Sequence, residues 1–132
     1  MAEKILAVDD ELDILQLIEM TLISDGFEVV TASNGIEALE KARIHTPDLI
    51  LLDLMMPEMD GWEVLAEIKN DPELATIPVI MATIKDDRNI GFSLGASDYL
   101  VKPIDPTQLH AVLLKHLSLI HISEPTRRTP IS

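Results

Sequence analysis

The sequence predicts an α/β fold, a three-layer α-β-α sandwich on a parallel sheet of five strands. Three observations predict it. Short, nearly pure apolar runs recur along the chain (Ile5-Leu6-Ala7-Val8, Leu49-Ile50-Leu51-Leu52, Val79-Ile80-Met81-Ala82), as in strands buried on both faces. Segments with helical spacing separate the runs, and alternating strands and helices place a parallel sheet between two helical layers through right-handed crossovers. The chain has 132 residues, 47% of them apolar and only 3% aromatic, enough for one domain with an aliphatic core.

The first strand is expected over Lys4 to Val8. Leu12 to Asp25 follows as a helix, with Leu15, Ile18 and Leu22 on one face, Ile14 beside them and Gly26 as the stop. Glu28 to Ala32 is the second strand. Ser33 or Asn34 caps the second helix, expected to turn Ile36, Leu39 and Ala42 inward before Pro47 ends the segment. Leu49 to Leu52 is the most apolar run and the predicted central strand. A loop from Leu54 to Gly61 leads to a helix with Val64, Leu65 and Ile68 inward, broken at Asp71-Pro72. Pro78 opens the fourth strand. Asp86 to Leu94 is a short, weakly patterned helix containing Gly91. Gly95-Ala96-Ser97 turns into the fifth strand, and Pro106 starts a last helix that buries Leu109, Val112 and Leu113.

Polar residues stand where the apolar runs end. Asp9 and Asp10 close the first run, Asp53 the third, Thr83 the fourth, and Lys102 closes Tyr99-Leu100-Val101. In a parallel sheet the carboxyl ends of the strands share one edge, and ligands bind there. Three carboxylates, a hydroxyl and an amine should converge on that edge. Oxygen ligands of this kind suit a hard divalent cation, and a carboxylate beside a cation and an amine can attack a phosphoryl group. Each residue also has a plain alternative. Asp10 could cap the first helix, Asp53 could serve a turn, Thr83 a local hydrogen bond, and Lys102 could be solvated.

Composition narrows the function. There are 23 acidic residues against 10 Lys and Arg, a net charge of −13, which disfavours direct nucleic-acid binding. No apolar run reaches the roughly 20 residues of a membrane span, so no membrane partner is expected. Met1-Ala2-Glu3-Lys4 leads straight into the first strand, leaving no room for a signal peptide. The absence of Cys excludes disulfides and thiolate metal sites and fits a cytoplasmic location.

The strand-end motifs carry a family resemblance. Val8-Asp9-Asp10-Glu11, the stretch Leu51-Leu52-Asp53-Leu54-Met55-Met56-Pro57-Glu58-Met59-Asp60-Gly61, and Tyr99-Leu100-Val101-Lys102-Pro103 resemble the receiver domain of two-component response regulators, over about Lys4 to His116. The resemblance implies a flavodoxin-like sheet of order 2-1-3-4-5. It implies that Asp53 is the phosphoacceptor and that Mg²⁺ (or Mn²⁺) is held by Asp9, Asp10, Asp53 and the backbone carbonyl of Met55. Thr83 and Lys102 would bind the phosphoryl group, Tyr99 would turn inward as the aromatic switch, and Lys102-Pro103 would be a cis peptide.

The partners so implied are a histidine kinase or histidine phosphotransfer protein, then an output domain or downstream protein. A homodimer through the face of the fourth helix, fifth strand and fifth helix is a further implied partner. Such a chain is a phosphoacceptor that assists its own phosphotransfer and dephosphorylation, not a turnover enzyme. The stretches Thr83-Ile84-Lys85-Asp86-Asp87 and Leu94 to Tyr99 also resemble receivers of hybrid histidine kinases, which act as phosphorelay intermediates. Ile84 stands where the family often has a small residue. Met55 and Lys85, two residues beyond Asp53 and Thr83, carry no group that orients an attacking water, so a long-lived acyl phosphate is expected.

Other classes fit less well. A flavodoxin-like cofactor binder needs a phosphate-cradling loop after the first strand, where this chain has Asp9-Asp10-Glu11. An aspartate-nucleophile phosphatase needs a substrate cap for which this chain has no room, and a pure scaffold would not need the complete residue set. His45, His110 and His116 read as surface or packing residues, Met55, Met56 and Met59 as loop packing, and Trp62 as cover for the third helix. From Leu117 the patterning stops, and Leu-Ser-Leu-Ile-His-Ile-Ser-Glu-Pro-Thr-Arg reads as a translated transposon-type sequencing adapter. Residues 1–116 are expected to form the domain and 117–132 a non-native tail, with an ordinary disordered terminus as the plain alternative.

Overall fold

The computed structural model describes residues 3–54, 56, 59–83, 95–102 and 104–122. The expected helix over 86–94, the Lys102-Pro103 peptide, Met55, Ile84, Lys85 and the end of the tail lie outside the described residues. The strands are β1 (Lys4–Val8), β2 (Glu28–Ala32), β3 (Leu49–Asp53), β4 (Val79–Thr83) and β5 (Asp98–Val101). The helices are α1 (Leu12–Ser24), α2 (Gly35–His45), α3 (Gly61–Asn70) and, numbered here as the last, α4 (Pro106–Ile122). All strand pairs are parallel, in the order β2-β1-β3-β4-β5. The sandwich and the strand order are those expected.

Alternation along the strands splits the core in two. In β3, Ile50 and Leu52 join one apolar cluster with Ala38, Leu39 and Ala42 of α2 and Val64, Leu65 and Ile68 of α3. Leu49 and Leu51 join the other, with Leu15, Ile18 and Leu22 of α1 and Leu109, Leu113 and Leu117 of α4. Successive side chains on a strand point to opposite faces, so a strand inside a sandwich must be apolar at every position. All five residues of β3 are buried, and β3 is central.

The helix ends follow local chemistry. At the end of α1, Gly26 takes φ 94°, Gly26 N donates to Ile23 O and Phe27 N to Leu22 O, the double bond of a Schellman stop. Asn34 Oδ1 accepts from Glu37 N at the start of α2, and Asp60 Oδ1 from Glu63 N at the start of α3. Pro106 opens α4 behind Asp105, whose side chain accepts from Thr107 N.

Two expectations on helix faces change. Ile36 is 57% exposed rather than buried. A Cβ on Gly35 would lie 2.8 Å from Val64 Cγ2 and 2.9 Å from Met59 Sδ, so α2 closes on α3 through its first residue. That contact fixes the inward face as Gly35, Ala38, Leu39 and Ala42 and turns Ile36 out. The first residue of the expected tail also joins the core. Leu117 lies four residues beyond Leu113, continues the same stripe and is buried, and α4 runs on to Ile122.

Candidate functional site

The register brings the strand ends to one edge. Val8 is level with Leu52, so Asp9 and Asp53 follow side by side on adjacent strands. Asp53 pairs with Ala82 and Thr83 with Val101, which places Thr83 and Lys102 one step further out on β4 and just past β5. Lys102 N donates to Thr83 O at 2.7 Å, which extends the ladder by one bond and holds both residues at the rim.

Asp9, Asp53 and Thr83 are buried, at 1%, 2% and 1% exposure, and among the described residues they are the buried polar side chains. Buried carboxylates need partners. Asp9 Oδ1 accepts from Glu11 N at 2.9 Å, and its Oδ2 lies 3.2 Å from Lys102 Nζ. The same ammonium lies 2.9 Å from Asp53 Oδ1. Burial pulls the Lys102 ammonium down, but hydrogen bonding and charge from Asp53, with Asp9 behind, outweigh it and hold Lys102 above the ordinary lysine range. Lys102 is therefore a fixed positive charge.

Asp10 is half-buried beside them, and Asp9, Asp10 and Asp53 each bring one oxygen within 4.8 Å of the others. Asp10 is not the helix cap, because Glu11 holds that position without a side-chain cap bond. Among the described residues, three carboxylates against one ammonium leave net negative charge at this edge. An all-oxygen donor set of this size fits Mg²⁺, which keeps several waters and takes a few carboxylates.

Tyr99 lies on β5 opposite Met81 and is already buried in the α2/α3 cluster, at 6% exposure. Asp98 just before it accepts from Tyr99 N at 2.8 Å and from His116 Nε2 at 3.0 Å. Met56 is buried and Met59 packs against the core, so both serve the loop.

Two features were missed in the sequence. Gly61 presses on the end of β3: a Cβ there would lie 2.6 Å from Asp53 O and 2.8 Å from Leu54 Cα, while Gly61 N donates to Leu54 O. A glycine in the first helical position directly behind the Asp60 cap was the available signal. The histidines expected in surface or packing roles also make specific pairs: His116 reaches Asp98, and His110 Nδ1 lies 3.2 Å from Asp25 Oδ2. Nothing in local spacing announces those long-range pairs.

Known proteins resemble this chain in sequence and fold. The response regulator receiver domain model matches residues 5–114. The alkaline phosphatase synthesis transcriptional regulatory protein PhoP of Bacillus subtilis is 41% identical over 129 residues, covering 96% of this chain and 53% of PhoP. Response regulator PleD of Caulobacter vibrioides is 46% identical over 114 residues, covering 84% of this chain and 25% of PleD. The chain thus spans about half, or less, of the length of these curated relatives. The chemotaxis protein CheY4 of Vibrio cholerae superposes with a TM-score of 0.83 at 36% identity, covering 87% of this chain and 98% of CheY4. The receiver domain of a sensor histidine kinase from Pseudomonas aeruginosa PAO1, solved with a magnesium ion coordinated in its active site cleft, gives 0.82 at 30% identity, covering 89% and 99%. Among the described residues no helix is long and apolar enough to cross a membrane. Strand order, acidic edge and sequence identity agree: this chain belongs to the response regulator receiver domain family and is a two-component signalling domain.

Proposed function

We propose that Asp53 accepts a phosphoryl group from the phosphohistidine of a histidine kinase or histidine phosphotransfer protein, and that the aspartyl phosphate switches the domain between two states. The observation that supports this most is the single Lys102 ammonium set between the Asp53 and Asp9 carboxylates at a buried strand edge. An Asp53 oxygen attacks phosphorus, the bond to the donor's imidazole nitrogen breaks, and the imidazole leaves. Lys102 shifts its pairing from the carboxylate to a phosphoryl oxygen, and the Thr83 hydroxyl donates to another. Mg²⁺ (or Mn²⁺) would be held by the carboxylates of Asp9, Asp10 and Asp53 and, as the family resemblance implies, by the Met55 carbonyl, and would supply positive charge to the phosphoryl oxygens.

The donor needs a way in. An apolar cleft of about 400 Å³ runs between α1 and α4, lined by Ile14, Leu17, Ile18, Ile104 and Leu109, with Glu11 and Lys102 at one end. Leu17 is 61% exposed there, a fit for a helix of the phosphodonor. The new charge on Asp53 then biases Thr83 and the β5/α4 side, which would carry the change to an output domain, a downstream protein or a second receiver.

Acetyl phosphate with Mg²⁺, followed by intact mass, tests the proposal. The wild type is expected to gain one phosphoryl group and Asp53→Asn none. A folded wild type that gains nothing would overturn it.

A further inference from the structure

Lys69 takes no part in the phosphoacceptor site, yet the fold gives it a defined place. It stands in the last turn of α3, half-buried, and its stem crosses Gly95. A Cβ on that glycine would lie 3.1 Å from Lys69 Cγ, 3.3 Å from Cδ and 3.2 Å from Cε. Gly95 has φ 107°, a conformation that side chains disfavour, so the turn is glycine for two reasons. Beyond the turn, the Lys69 amine donates to Ala75 O at 3.0 Å. One side chain thus straps together the end of α3, the connection to β4 and the turn into β5. Two residues past that turn, Ser97 N donates to Val79 O at 2.8 Å and begins the pairing of β4 with β5.

The amine of Lys69 differs from those of the other described lysines in its partner. Lys4 pairs with Glu28 at 3.6 Å, Lys41 with Glu37 at 3.5 Å, Lys115 with Asp98 at 3.6 Å, and Lys102 with Asp9 and Asp53. Each of these amines thus faces a carboxylate. Among the described residues Lys69 has a backbone carbonyl and no carboxylate, while burial pushes its ammonium below the ordinary lysine range. Burial and a neutral carbonyl partner both favour the free amine of Lys69, which is the nucleophilic form.

We propose that Lys69 is a second acceptor on this chain, acylated at Nζ by small acyl phosphates, and that the acyl group releases the strap across Gly95. An acyl phosphate offers two electrophilic atoms, phosphorus for a carboxylate and the acyl carbon for an amine. The Lys69 ammonium first gives its proton to water. Nζ then attacks the acyl carbon, the carbon–oxygen bond to phosphate breaks, inorganic phosphate leaves and the nitrogen loses a second proton, leaving a neutral amide. No oxidation state changes. The product has lost the charge that held the Ala75 carbonyl, and it carries extra atoms beside a stem already packed on Gly95.

The full chain is incubated with acetyl phosphate as wild type, Lys69→Arg and Asp53→Asn, and acetylated peptides are followed by mass spectrometry. Lys69 is expected to be acetylated several-fold faster than Lys115 or Lys4 in both wild type and Asp53→Asn, with no gain at position 69 in Lys69→Arg. Exposed lysines reacting as fast as Lys69, or a requirement for Asp53, would overturn the site. The phosphoryl gain on Asp53 is read in the same samples, so its failure is distinguishable from failure at Lys69. Amide exchange tests the strap. Ser97 is expected to exchange faster in Lys69→Gln and unchanged in Lys69→Arg, and equal exchange in the two variants would overturn it.

Discussion

The ammonium of Lys102 lies 2.9 Å from Asp53 Oδ1 and reaches Asp9 Oδ2 at 3.2 Å. One amine from the end of β5 therefore bridges the ends of β1 and β3 across the mouth of the sheet. The ammonium offsets part of the charge of three gathered carboxylates, and the remainder is the electrostatic reason for a cation site.

Removing that bridge tests both stability and chemistry. Lys102→Met leaves the Asp9 and Asp53 carboxylates buried without their counter-charge, an expected loss of about 3 kcal/mol in urea unfolding without divalent cations. Phosphoryl uptake should fall as well. The pH dependence has a definite sign. The Lys102 value is raised in the fold, so its contribution is complete below the ordinary lysine value of 10.5 and disappears as pH rises through the higher folded value. The wild type should lose stability over that alkaline window, and Lys102→Met should lose less. Parallel alkaline limbs would refute the assignment.

Gly61→Ala should be costly although the residue carries no chemistry. Its Cβ would fall 2.6 Å from Asp53 O and 2.8 Å from Leu54 Cα, which are backbone atoms that cannot rotate away. Overpacking of this kind costs about 1–3 kcal/mol. Because the displaced strand end carries Asp53, phosphoryl uptake should fall alongside the melting temperature. A drop in melting temperature with uptake unchanged would separate Gly61 from the site.

Much of this was legible in the sequence because strands buried on both faces leave little ambiguity. Lys4–Val8, Leu49–Asp53 and Val79–Thr83 form strands where the apolar runs fall, and Asp9, Asp53 and Thr83 at their ends lie at the shared edge. The errors came where long-range packing decides. Spacing alone places Ile36 inward, but Gly35 sets the approach of α2 to α3 and rotates it out. Likewise Leu117 fell in a stretch read as unpatterned, yet it continues the stripe of Leu109 and Leu113 into the core. The contact of His116 with Asp98 joins elements whose juxtaposition exists only in the folded sheet.

Asp98 should shape the acid limb of stability. Burial raises its value, but the Tyr99 amide, the His116 hydrogen bond and the charges of Lys115 and His116 together hold it below the ordinary 3.8. A depressed carboxylate contributes stability above its unfolded value, and that contribution is lost as pH falls through the folded value. Asp98→Asn should therefore be less stable than wild type at neutral pH, and the gap should close below about pH 4. A gap that persists into strong acid would show that Asp98 acts through shape rather than charge.

Once formed, the aspartyl phosphate is expected to persist. Met55 and Lys85, two residues beyond Asp53 and Thr83, carry no amide or carboxylate to orient a water. Decay followed by intact mass at neutral pH should extend over minutes or longer. Loss within seconds would mean that another group positions the water.

Divalent cation binding should be visible in stability alone. Mg²⁺ that binds only the folded site at about 100 times its dissociation constant adds about 2.7 kcal/mol. Asp10→Asn removes one of the three clustered carboxylates. Without Mg²⁺ this relieves like-charge repulsion, so the variant should melt at or above the wild-type temperature. With Mg²⁺ the order should reverse, because the wild type gains the full increment and the variant most of it loses. The crossing of the two melting temperatures on adding Mg²⁺ is the expected signature of a cation held by these carboxylates. An equal Mg²⁺ increment in wild type and Asp10→Asn would place the ion elsewhere.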